Sequence, residues 1–270
     1  MTNGDDMDGI VQHTPPLKHD GLLVLSAPLH HRAIGDVPLA DANEVATFVT
    51  QKRFDEHLSG RWLLGQALHR WGIDDLSSIE VCRTERRAPY LAFIQGVWKR
   101  TPLPNVSIAH SNDRVFVVLI PPSHRVGIDA EPRARTLAAN AYDMMAKGEE
   151  LATLREHPSS AMVSWTAKEA VQKALGMGMH LNPRDIQIPI GLEQCEITIE
   201  KSNLQLVYWS ECEYHLSLAT TPAIPSEATP EDVLLEATAR AMAAQPDWGA
   251  PRIRARCNVC LRSRAVYPAP

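Results

Sequence analysis

The run Val126-Gly127-Ile128-Asp129-Ala130-Glu131, closed by Pro132, constrains this chain more than any other feature. It reads as a short strand, and on a strand positions i and i+2 share a face. Asp129 and Glu131 therefore point the same way from a segment otherwise fit for burial. Two carboxylates so placed repel each other unless a cation or a basic group lies between them. Alone, the pattern also fits a solvent-facing edge carrying two harmless acids. If the face is covered, the covering element has to bring positive charge.

A segment that meets this demand follows about forty residues later. Ala161 to Leu175 has helical spacing, starts after the cap candidates Ser159 and Ser160, and ends at Gly176. Trp165, Glu169 and Lys173 fall at i, i+4 and i+8 and form one stripe, with Lys168 on its edge. A Glu four residues before a Lys is also an ordinary helix-stabilising pair worth about 0.2–0.5 kcal/mol. The strand and the helix together offer more: three carboxylates and two ammonium groups. Such a set can hold magnesium and a polyphosphate, because magnesium takes a few carboxylates together with water and phosphate oxygens.

The rest of the chain alternates helix and strand patterns. Residues 1–20, with acidic residues and Pro15-Pro16, read as a flexible lead. Leu22–Ser26 reads as a buried strand, Asp41–Arg53 and Asp55–Trp71 as helices, the second capped by Gly72. Ser78–Arg83, Val106–Ala109 and Val115–Ile120 read as strands, Leu137–Leu154 as a helix, and Glu196–Glu200, Leu204–Ser210 and Tyr214–Ala219 as strands again. A linker at Pro222–Ser226 leads to an Ala-rich helical stretch, Glu231–Ala244. The expected class is α+β, with an N-terminal lobe at 21–125, a C-terminal lobe at 126–220, and a C-terminal helix and Arg-rich tail at 221–270.

Composition narrows the function. No stretch approaches the roughly 20 apolar residues of a membrane span, and the acidic start Asp5-Asp6 is no secretory signal. Cys82, Cys195, Cys212, Cys257 and Cys260 are too scattered for a disulfide framework. The expectation is a soluble cytoplasmic protein with no membrane partner. A net charge of −5 gives no global case for nucleic acid. Arg252, Arg254, Arg256, Arg262 and Arg264 make the tail basic, which reads as a solvated terminus or a docking arm. Cys257-Asn-Val-Cys260 lacks the further ligands that a zinc site needs.

Gly127-Ile128-Asp129-Ala130-Glu131 with Trp165-Thr166-Ala167-Lys168-Glu169 and Lys173 resembles the paired signature of the Sfp-type 4'-phosphopantetheinyl transferases. Further blocks are similar and collinear, over about residues 50–190. Arg61-Trp62-Leu63-Leu64-Gly65 resembles the family's R-x-L-x-G helix. Arg87-Ala88-Pro89 is similar to the basic-x-proline step of its siderophore-type members, and Ser107-Ile108-Ala109-His110-Ser111 to its histidine element, with Ala109 where a serine is usual. The resemblance implies a pseudo-dimer of two similar lobes with coenzyme A, the co-substrate, in the cleft between them. It implies Mg2+ on Asp129, Glu131 and Glu169, with Glu169 and Lys173 as the catalytic residues. Coenzyme A would be bound by Arg61, Arg87, His110, Lys168 and Lys173. The partner would be an acyl or peptidyl carrier protein of secondary metabolism, and the chain a monomer. The competing expectations are a coenzyme A- or carrier-binding protein without turnover, motivated by Ala88 and Ala109, and a nucleic-acid binder working through the tail.

Overall fold

In the computed structural model, residues 9–94, 96–97 and 102–223 are described. The Ala-rich stretch and the Cys257–Cys260 pair lie outside them.

Alternating apolar residues build two four-stranded antiparallel sheets. The first contains β1 (Val11–His13), β2 (Leu23–Pro28), β5 (Asn105–Ser111) and β6 (Arg114–Ile120), in the order β1-β2-β6-β5. The second contains β7 (His124–Pro132), β8 (Gln194–Ile199), β9 (Ser202–Glu211) and β10 (Tyr214–Pro222), in the order β7-β10-β9-β8. A hairpin of β3 (Ile79–Arg83) and β4 (Pro89–Phe93) stands apart. In both large sheets the first long strand lies beside the last: β2 beside β6, β7 beside β10.

The strand period of two splits each strand between two cores. On β6, Val115, Val117 and Leu119 face α2 (Gln51–Trp71) with its Leu63, Leu64 and Leu68. Phe116, Val118 and Ile120 face the other way, meeting Val126, Ile128 and Ala130 of β7 and Leu216 and Leu218 of β10. The opposite side of the second sheet packs on α5 (Ala161–Ala174) through Ala167, Ala170, Val171 and Ala174. The layers run helix, sheet, sheet, helix. The apolar positions of β7 thus point into the middle layer, and Gly127, Asp129 and Glu131 point to the side that α5 covers.

Several local expectations change. Val11–His13, inside the supposed flexible lead, is a strand paired to β2, with His13 buried. Asp41–Arg53 shrinks to α1 (Ala42–Val45), and α2 starts at Gln51, where the Thr50 side chain accepts from Arg53 N–H. Leu137–Leu154 splits into α3 (Tyr142–Met145) and α4 (Gly148–Glu156), the second opening on Gly148 at φ +60. Ser159 and Ser160 give no side-chain cap to α5; a 3-10 turn beginning at Pro158 leads into it instead. No helix among the described residues is long and apolar enough to cross a membrane.

Candidate active site

Gly127 sets the geometry of the site. A Cβ built there would lie 2.0 Å from the Ala170 carbonyl oxygen and 2.4 Å from the Ala174 nitrogen. Only a residue without a side chain lets α5 lie this close on β7. That approach brings Glu169 and Lys173 against Asp129. Lys173 Nζ donates to Asp129 Oδ1 at 2.7 Å and to the Ile128 carbonyl at 3.0 Å. Ser107 Oγ, accepting from Ile128 N–H at 3.1 Å, fixes β7 against β5.

The acids here are held off their ordinary ionisation. Burial, followed by the charge of Asp129, pushes Glu169 up to about 7. Burial also raises Asp129, despite the Lys173 ammonium beside it. Asp129 Oδ2 is buried and has no hydrogen-bond partner. An orphaned carboxylate oxygen next to a second carboxylate is costly unless positive charge reaches it. Glu131 holds Arg135 at 2.6 Å and accepts from Ser111 Oγ at 3.1 Å. The three carboxylates do not present one oxygen each within 4.8 Å as a set, and Lys173 and Arg135 sit on two of them. All-oxygen donors and the orphaned Oδ2 suit a hard cation by chemistry, and the three side chains would have to draw together to hold one.

Lys173 also lines a cleft of ≈ 980 Å³, its open mouth included. The enclosed part of it, about 280 Å³, falls just below the range of small-molecule sites, so a nucleotide-sized ligand would extend through the open mouth. Arg53, Arg61, Arg83, Arg86 and Arg87 line it with Lys173, and among the described residues none of the lining is acidic. Such a cleft selects a multiply charged anion. Arg61 is 4% exposed, and burial with the charge of Arg83 pulls it down to about 10. Glu44 of α1 braces this group, paired with Arg83 and 3.7 Å from Arg61. Arg87 sits in the turn between β3 and β4 at φ +66, where its carbonyl accepts from Arg83 Nη1.

His110 projects from β5 into the same cleft and packs on Gly60 of α2, where a Cβ would come within 2.9 Å of Nε2. Burial and the charges of Lys173 and Arg53 drive its pKa down to about 3. Its Nε2 is buried and unpartnered, as is Nε2 of His57 nearby. Either nitrogen could donate to an anion in the cleft when it carries the ring proton.

One expected ligand is elsewhere. Lys168 is fully buried on the far side of α5, and its Nζ donates to Glu150 at 2.9 Å, to the Pro183 carbonyl at 3.0 Å and to the Ile186 carbonyl. All of its donors are used, so it does not reach the cleft. It is a structural clamp, not a phosphate ligand, because the helical turn between Lys168 and Lys173 aims them in different directions. Conversely, Arg53, His57, Arg83 and Arg86 escaped the sequence reading. The cluster Arg83-Thr84-Glu85-Arg86-Arg87 was a signal, but only the β3–β4 pairing shows that its arginines gather at one rim.

Comparison with the curated proteins finds no match. The family model of the 4'-phosphopantetheinyl transferase superfamily matches residues 125–222, from β7 through α5 to β10. This segment supplies both carboxylates of β7 and both Glu169 and Lys173 of α5, so the likeness to the 4'-phosphopantetheinyl transferase superfamily falls on the part of the chain that carries the site's acids and its lysine.

Proposed function

We propose that the chain transfers 4'-phosphopantetheine from coenzyme A to a serine of an apo acyl or peptidyl carrier protein, giving the holo carrier and adenosine 3',5'-bisphosphate. The observation that carries this reading is the junction at Lys173, where a cleft lined by five arginines meets the buried Asp129 and the half-buried Glu169. A nucleotide with a pyrophosphate and a further phosphate matches such a cleft in charge.

In this reading Arg53, Arg61, Arg83, Arg86 and Arg87 bind the phosphates of coenzyme A, and His110 offers Nε2 to one of them. Lys173 exchanges its contact with Asp129 for the pyrophosphate and neutralises charge on the departing bisphosphate. Glu169 takes the proton of the carrier serine as its hydroxyl oxygen bonds to the pantetheine-side phosphorus and the pyrophosphate bridge breaks. Asp129, Glu131 and Glu169 would hold Mg2+, which supplies charge stabilisation at the pyrophosphate. The like strand orders of the two sheets, each with a helix on its outer face, support a pseudo-dimer of two lobes, about 21–125 and 126–220. We read the chain as a cytoplasmic monomer serving secondary metabolism.

The test is incubation with coenzyme A, magnesium and a panel of apo carriers from fatty acid, polyketide, peptide and siderophore assembly. A phosphopantetheine mass gain on at least one carrier, with stoichiometric bisphosphate release, is expected. Coenzyme A binding without mass gain on any carrier would favour a binding protein instead.

A further inference from the structure

A second cluster lies away from the cleft, where the first strand of the chain meets the tip of the β9–β10 hairpin. Glu211 pairs with Tyr214, so Cys212 and Glu213 are the two residues of a tight turn. Both have positive φ, +48 and +64. A two-residue turn of this kind favours Asn and Gly, and a Cys in the left-handed region is uncommon. Something other than backbone preference therefore accounts for Cys212. Its exposed thiol faces a side chain from the opposite end of the described chain. Within 4.8 Å of one another lie Cys212 Sγ, a Glu211 carboxylate oxygen and a ring nitrogen of His13.

The surroundings orient these atoms. The His13 side chain is fully buried, and its Nδ1 meets Glu211 Oε2 at 2.9 Å. Its other nitrogen, Nε2, lies 2.8 Å from Ser26 Oγ, which accepts from Arg114 Nη2 at 2.9 Å. Trp209 Nε1 donates to the same Glu211 oxygen at 3.1 Å. The imidazole is thus held from behind, with Nδ1 turned toward Glu211 and Cys212. Partners behind the ligands of this kind fix the tautomer and direction of a metal-binding histidine.

We infer that His13, Glu211 and Cys212 form a binding site for a first-row divalent cation of the zinc type. The imidazole, carboxylate and thiolate are the donors zinc takes, at about 2.0–2.3 Å each, with a water completing four-coordination. Donors at those distances stand about 3.3–3.8 Å apart, so closing the site needs only small shifts. On binding, the Cys212 thiol loses its proton to solvent, the imidazole proton moves from Nδ1 to Nε2, which then donates to Ser26 Oγ, and the freed Nδ1 binds the metal in place of Glu211. The site would clip β1 to the hairpin of the second sheet across 198 residues of sequence. It shares no residue with the cleft.

The experiment uses untagged full-length protein carrying Cys257→Ser and Cys260→Ser, which removes the other cysteine pair that could take zinc. Titration with Co2+ should give one equivalent of thiolate-to-cobalt charge transfer in the near ultraviolet. Zn2+ should abolish the band and protect Cys212 from alkylation. Cys212→Asn suits the turn better than the native residue, so it should fold and lose the band completely. No charge-transfer band in the parent, or a band that survives in Cys212→Asn, would overturn the inference.

Discussion

Replacing Gly127 by Ala tests how the fold builds the site. The added methyl would lie 2.0 Å from Ala170 O, 2.4 Å from Ala174 N and 2.9 Å from Lys173 Cβ, where contacts under 3.0 Å essentially do not occur. Two of these neighbours are helix backbone, which no rotamer change can move. Helix α5 must therefore back away by about 1 Å, and overpacking of this sort costs about 1–3 kcal/mol. The same displacement stretches the Lys173 contacts to Asp129 and Ile128, now 2.7 and 3.0 Å. A misplacement of ~1 Å can lower a rate about 100-fold. Urea denaturation measures the first effect, and transfer at saturating coenzyme A the second. Gly35→Ala is the internal control, since a Cβ there meets nothing within 4 Å. If Gly127→Ala matched the control in both stability and rate, α5 would not depend on this close approach for its position.

Lys168→Met should destabilise the fold by about 3–5 kcal/mol, because it strands the buried Glu150, while the folded variant keeps its coenzyme A affinity; calorimetry reporting weak binding in a stable fold would restore Lys168 to the cleft. Arg83→Ala should raise the coenzyme A Kd by about 10- to 100-fold, the value of a charge-assisted hydrogen bond, and an unchanged Kd by titration would remove Arg83 from the ligand set. Acid should destabilise the unliganded protein through His110, which is held near 3 when folded and returns to about 6.5 unfolded. Between those values the unfolded chain binds more protons, so stability is full above about 6.5 and falls with falling pH by up to ~1.4 kcal/mol per unit. His110→Gln should flatten this slope by about one proton; denaturation series giving parallel slopes for the two proteins would contradict the burial argument.

The parts of the site that were legible in sequence follow fixed local periods. Asp129 and Glu131 share a strand face, and Glu169 and Lys173 share a helical stripe, wherever the rest of the chain goes. Gly72 and Gly176 end their helices at φ +92 and +64, as glycines after helical runs do. Lys168 was misplaced because five helical positions turn a side chain far enough to reach a different neighbour. Its partners, Glu150 and the carbonyls of Pro183 and Ile186, belong to segments with no local tie to it. β1 and β4 were missed for a related reason. Three residues at a sheet edge and a strand opening on Pro89 carry too little pattern, and both are defined by their partners. The arginine rim required the β3–β4 hairpin to fold beside α2 before Arg53, Arg61, Arg83 and Arg86 could be seen as one group.

The most direct test of the proposed chemistry is Glu169→Gln, which keeps the size of the side chain and removes its ability to take a proton. Coenzyme A binding, by titration calorimetry, should stay within about threefold of the parent, because Glu169 does not line the arginine cleft. Transfer to an apo carrier, followed by mass, should fall by about 100- to 10,000-fold, the usual contribution of a general base. Near-normal turnover in this variant would contradict both the assigned base and the place of Glu169 beside the cation.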